Sequence, residues 1–209
     1  MRERPIIFND EMVRAILSGT KTMTRRPVKP QPADDIRLYQ LPNPEHIGYV
    51  SSIKHKFGSR TTHLCPYGQP GDRLWVRETF GDCGVHFVYR ADTDDGTACQ
   101  VKRWTPSIHM PRWASRITLE ITGVRVERLQ DITEDDARAE GISPAGELLP
   151  EYPDAYLTPR GGLSTVRVAF RRLWKSIYGD TGWNSNPWVW VIAFRRVDTG
   201  CATGASKGG

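Results

Sequence analysis

The last apolar run of the chain, Pro187 to Val197, constrains the fold more than any other segment. Trp188, Val189, Trp190, Val191, Ile192 and Phe194 leave almost no polar alternation in it. A run that short and that continuously apolar predicts a strand covered on both faces. Arg116 to Leu129 reads as a second long strand, with Ile117, Leu119 and Ile121 on one face and a bulge at Gly123 before Val124 and Val126. Arg73 to Thr79 is a third; it sets Leu74, Val76 and Glu78 on one face and Trp75 and Arg77 on the other. His86 to Ala91 is expected to pair with it through a turn at Gly81 to Gly84, and Ile6 to Phe8 suits a first strand.

Helices are fewer. Asn9 or Asp10 can cap one that carries Met12, Val13, Ile16 and Leu17 and stops at Gly19. Thr133 with Asp136 starts a short one ending at Gly141. Thr165 to Tyr178 places Val166, Phe170, Leu173, Trp174 and Ile177 on one side. Pro/Gly-rich stretches at 27–62 and 143–162 read as insertions, the first with a short hairpin around Ile47 to Ile53. Without βαβα alternation, the expected class is α+β: one domain over residues 4–197, with a mostly antiparallel, closed or half-open barrel and flanking helices. The Gly/Ala/Ser/Thr-rich stretch 198–209 reads as a disordered tail.

Composition narrows the function classes only slightly. A net charge of +5 in 209 residues fits a nucleotide or nucleic-acid partner but lacks the dense clustering of a duplex binder. The four cysteines form no C-x-x-C pair, so neither a metal nor a cofactor is expected. No apolar run reaches the roughly 18 residues of a membrane span and no signal region opens the sequence, so a cytoplasmic chain with reduced thiols is expected.

The chemistry centres on Lys21 and Thr24, three apart in the polar segment that follows Gly19. A threonine hydroxyl attacks only once its proton is removed. A lysine removes it only when its amine is neutral, which requires desolvation or nearby positive charge. Arg25 and Arg26 supply such charge, and Glu78 can serve as general acid or hold the lysine. On spacing alone, a surface lysine and a structural ion pair at Glu78 remain open.

The segment Gly19-Thr20-Lys21-Thr22-Met23-Thr24-Arg25 resembles the G-x-K-x-x-T-x-R signature of the ASCH family, and Gly71-Asp72-Arg73-Leu74-Trp75-Val76-Arg77-Glu78 resembles its Gly-Asp strand bearing a Glu. More narrowly, Ser107 to Arg116 and Asn186 to Trp190 resemble bacteriophage and prophage members of that family. The resemblance implies a PUA-like barrel and an amidohydrolase that removes the acyl group from N4-acetylcytidine, with Lys21, Thr24 and Glu78 as the catalytic trio. A modified pyrimidine nucleoside or base is the implied ligand, and an RNA-binding or RNA-cleaving module is the alternative. Arg25, Arg26, His109 and Arg112 are candidate substrate contacts, and Tyr67, Trp75 and Trp113 candidate base-stacking partners, against core packing as the plainer role for each aromatic.

Overall fold

The computed structural model describes residues 1–40, 47–52, 60–84, 86–95, 101–142, 155–157 and 163–197. In chain order the first half contains β1 (Glu3–Ile7), α1 (Asp10–Leu17), β2 (Met23–Pro27), β3 (Arg37–Gln40), β4 (Ile47–Ser52), β5 (Arg60–Leu64), β6 (Arg73–Arg77), β7 (Phe80–Asp82) and β8 (Phe87–Tyr89). The second half contains β9 (Trp104–Thr105), β10 (Thr118–Arg128), α2 (Glu134–Ala139), β11 (Tyr156–Leu157), β12 (Leu163–Ser164), α3 (Val166–Asn184) and β13 (Trp188–Val197).

The fold is α+β around a five-stranded sheet in the order β1-β6-β10-β13-β2. Only the β1–β6 pair is parallel. β13 pairs with β10 on one side and β2 on the other, and its two faces enter two cores. Trp190, Ile192 and Phe194 pack with Ile6, Phe8, Leu74, Val76, Leu119 and Ile121. Val189 and Val191 pack with Leu129, Ile132 and, on α3, Phe170 and Trp174. This double burial is why the strand is apolar throughout. The register of β10 on β13 shifts between Ile121 and Gly123, at the bulge that Gly123 signals.

The two sheet edges, β1 and β2, are joined in sequence by α1. An Arg26 guanidinium nitrogen on β2 donates to the Ile7 carbonyl at the end of β1, 2.6 Å away. Among the described residues no backbone ladder closes the sheet, so the hydrogen-bonded barrel expected from sequence is not seen. Helix caps form as the sequence predicts. Asn9 accepts from the Met12 amide, and Thr133 from the Asp136 amide at 3.1 Å.

Three features differ from expectation. β8 pairs with the short β7, not with β6, because the chain leaves β6 at Glu78 and starts a separate sheet with β8-β7-β9 order. The 27–62 region contains a three-stranded sheet, β3-β4-β5, seated through Tyr49, which meets Trp190 edge-on at 5.7 Å. α3 breaks after Tyr178, where the sequence ends it: Gly179 takes φ 74°, outside the helical region, and a separate short turn beyond this kink carries Trp183, whose ring lies 6.3 Å from Phe170. Cys83 is disulfide-bonded, while Cys65 is a free, buried thiol; reduced thiols were expected at both. The 198–209 tail and most of 143–162 lie outside the described residues. Among the described residues no helix is long and apolar enough to cross a membrane.

On β4 and β5, Ser51 Oγ and His63 Nε2 lie 2.9 Å apart, and both residues are buried. Burial lowers the His63 pKa, so the folded state favours neutral imidazole. The unfolded chain then binds the extra proton, and stability is full above about pH 6.5, the ordinary His value, and falls as pH drops below it. Melting temperature is expected to decline between pH 6.5 and 5, with a shallower decline in His63→Gln. Equal slopes in the two proteins would refute this.

Candidate active site

Register places the candidate residues at one end of the main sheet. Glu78 follows β6 directly, Thr118 at the start of β10 pairs with Trp75 of β6 and with Val197 of β13, and Met23 at the start of β2 pairs with Ala193. That end therefore carries the exit of β6, the exit of β13 and the entry of β2. Lys21 precedes β2 and Glu78 follows β6 on that side, whereas Thr24 lies further into the sheet; all three are buried. Thr24 lies opposite Ile192, so its side chain shares the face of that core residue.

Lys21 is held from both backbone and side chain. Its amide donates to the Ala15 carbonyl, while the amide of Thr22 donates to Ala139, both at 2.9 Å. These bonds dock the segment between the ends of α1 and α2. The side chain is fully buried, and Nζ donates to the Glu140 carbonyl at 2.7 Å and to Glu140 Oε2 at 2.8 Å. Phe8 lies beside it, with the ring centroid 5.6 Å from Nζ. Burial pushes the amine below its ordinary pKa, Glu140 opposes that, and the Arg26 and Arg25 charges add to the lowering.

Glu78 lies elsewhere at the same end. Its two carboxylate oxygens accept from Arg116 Nε and an Arg116 terminal nitrogen, each at 3.0 Å. Arg116 also binds Asp92 at 2.6 and 2.8 Å and stacks 4.0 Å from the Tyr89 ring centroid. Burial raises the Glu78 pKa, and Arg116 counters it. Among the described residues no hydrogen bond or ion pair links Glu78 to Lys21 or Thr24. The carboxylate that holds the lysine is Glu140.

Two adjoining cavities flank Glu140. The larger, about 500 Å³, lies between α1 and α3 and is walled by Met12, Ala15, Ile142, Ala169 and Leu173 with Glu11, Arg14 and Glu140. The smaller, about 20 Å³, has room for a single water and is bounded by Thr24, Arg25, Arg26, Glu140, Trp174 and Tyr178. Met12, Glu140 and Leu173 line both. Trp174 and Tyr178 pack against each other, ring centroids 4.4 Å apart.

The remaining candidates divide. Arg25 is fully buried and bound to Glu127, Asp136 and Glu140. Arg26 borders the small cavity, packs 5.3 Å from the Phe8 ring centroid, and has a buried Nε with no hydrogen-bond partner. Tyr67 is half-buried against the main core, which raises its phenol pKa. Trp75 faces away from the Leu74/Val76 core, between the guanidinium groups of Arg77 and Arg112. Arg112 grips Glu3 at 2.9 and 3.0 Å, and His109 is exposed. Trp113 is 70 % exposed, and its ring is tilted against that of Phe87 with the centroids 5.3 Å apart.

Sequence reasoning missed Glu140, Trp174 and Tyr178 as site residues. One signal was present: Asp136 and Glu140 are four apart, so one face of a short helix carries two carboxylates toward the Lys21–Arg25 segment. The close approach depends on Gly141, which ends α2 at φ +83°. A Cβ there would stand 2.6 Å from Lys21 Cβ and 2.8 Å from Ala15 Cβ. Gly141→Ala is expected to cost about 2 kcal/mol in chemical denaturation, from backbone strain and displacement together. An unchanged denaturation midpoint would contradict the packing. Comparison with protein-family models, curated proteins and solved structures finds no match to this chain.

Proposed function

We propose that the chain is an amidohydrolase that removes the acyl group from N4-acylated cytosine or cytidine, in a half-open, PUA-like barrel whose working end is the Lys21 end. The observation that carries the reading is a fully buried lysine bonded at 2.8 Å to Glu140, a carboxylate that lines both the cavity of about 500 Å³ and the small cavity bordered by the buried Thr24. An ion pair in so dry a place lies close in energy to its neutral tautomer, because desolvation penalises both charges. When the proton moves from Nζ to Glu140, the site holds a neutral amine and a protonated carboxyl together.

In that tautomer Lys21 takes the Thr24 hydroxyl proton while the oxygen attacks the amide carbonyl. Glu140 donates its proton to the N4 leaving group, and cytidine departs with a free amino group. The acyl-threonine is then cleaved by a water in the small cavity: Glu140 takes the water's proton as the water oxygen bonds to the acyl carbon, and Lys21 returns its proton to the departing Thr24 oxygen. Arg26, with a free buried Nε–H at that cavity, is placed to stabilise the oxyanion. Glu78, bound on both oxygens by Arg116, acts as a structural tie at the same end.

The test is direct: incubation with N4-acetylcytidine, read as the ultraviolet change to cytidine, for the wild type and for Lys21→Ala, Thr24→Ala, Glu140→Gln and Glu78→Gln. A second reading, RNA binding, draws on the exposed Trp113–Phe87 pair, a surface suited to stacking on an unpaired base. No turnover by wild type, together with salt-sensitive RNA binding, would replace the first reading with the second.

A further inference from the structure

Arg25 occupies a position where a charge is costly, and its surroundings use every donor that it has. Nε donates to Glu127 Oε1 at 3.1 Å, and one terminal nitrogen donates to that same oxygen and to Asp136 Oδ2, the latter at 2.7 Å. The other terminal nitrogen meets Glu140 Oε1 at 3.4 Å and Met23 Sδ at 3.6 Å. Five N–H groups are thus accounted for. Arg125 on β10 binds the same two acids from outside, Glu127 at 3.0 Å and Asp136 at 2.5 Å. Lys21, Arg25 and Arg125 balance Glu127, Asp136 and Glu140 in one continuous cluster. Glu140 is its hinge, with one oxygen on Lys21 and the other on Arg25.

We propose that Arg25 is a positioning residue that orients Glu140 and sets how tightly Lys21 holds its proton, with Asp136 and Glu127 as counterweights. The inference rests on the reading of Lys21 as the base. A cluster that served stability alone would be complete with Arg25, Arg125, Glu127 and Asp136. The fourth link, from Arg25 to the lysine's own carboxylate, carries the charge of the cluster to the amine. The other groups facing the Lys21–Glu140 pair are Arg26 from β2, Glu11 and Arg14 from α1 across the large cavity, Tyr178 from α3 and the Phe8 ring. Those stay constant when Arg25 or Asp136 is changed.

The signs follow from charge balance. Removing the Arg25 charge leaves the cluster net negative, and the amine keeps its proton to higher pH. Removing the Asp136 charge leaves it net positive, and the amine releases its proton at lower pH. At the observed separations each change is worth roughly one pH unit.

The experiment is a pH titration of the full chain labelled with carbon-13 at lysine Cε, with the Lys21 resonance identified by its loss in Lys21→Arg. Expected are a raised midpoint in Arg25→Gln, a lowered one in Asp136→Asn and a midpoint near wild type in Arg25→Lys. The acid limb of turnover is expected to move with the resonance. If Arg25→Gln fails to fold, Asp136→Asn still decides, because it leaves every arginine in place. Coincident midpoints across the variants, or a Lys21 that stays protonated over the whole range in all of them, would overturn the proposal. Opposed shifts without turnover of N4-acetylcytidine would uphold the coupling and remove the amidohydrolase reading; turnover with unmoved midpoints would do the reverse.

Discussion

Glu140→Gln is expected to lower turnover of N4-acetylcytidine by a factor of about 10²–10⁴, the usual contribution of one placed acid–base group. Glutamine keeps the size and one hydrogen-bond acceptor but cannot exchange a proton with Lys21. It also removes the negative charge that opposes desolvation of the amine. Glu78→Gln makes the informative contrast. Arg116 stays anchored on Asp92, so the loss is one charge-assisted contact in a buried place, about 1–3 kcal/mol of stability. Turnover of the folded protein is then expected to stay near wild type. Reversed results, with Glu78→Gln inactive and Glu140→Gln active, would return the acid role to Glu78 and assign Glu140 to structure.

The largest expected effect on stability is at Arg25. Arg25→Met leaves Glu127, Asp136 and Glu140 facing one another, with only Lys21 and Arg125 to offset them. Stripping one partner from a buried ion cluster costs about 3–5 kcal/mol. In a chain of 209 residues that corresponds to a fall in melting temperature on the order of 10 °C. The compensated variant Arg25→Met/Glu127→Gln is expected to recover part of it, because the uncompensated charge is then relieved. If the double variant melts lower than Arg25→Met, charge imbalance is not the cause, and lost packing against the Phe170 ring, 5.8 Å from the guanidinium carbon, becomes the explanation.

Much of the scaffold was legible locally. Asn9 and Thr133 announced two helix starts, because a cap is a contact across three residues. The apolar run at Trp188 to Phe194 announced a doubly covered strand, and Gly123 a bulge. What escaped is non-local. β3 and β5 carry polar, weakly patterned sequences whose strand character comes from pairing with β4. Past the kink at Gly179, the short turn that brings Trp183 onto Phe170 also escaped, because that contact is made to the other side of the kink. In the site, Lys21 and Thr24 stood out because they are close in sequence. Glu140 did not, since its spacing from Asp136 signals an acidic helix face but not that this face meets a lysine 119 positions earlier. Trp75 was read on the outward face of its strand, and the two flanking guanidinium groups now occupy that ring.

The docking of the Lys21 segment has a consequence for when that segment becomes ordered. The Lys21 amide, the amide of Thr22 and the Lys21 ammonium group are satisfied by α1, by α2 and by Glu140, which caps α2 and lies 119 positions after Lys21. A product that ends before α2 has Lys21 but lacks the Glu140 and Ala139 acceptors that hold the segment. Order at this segment is therefore non-local, and is acquired only once α2 has docked.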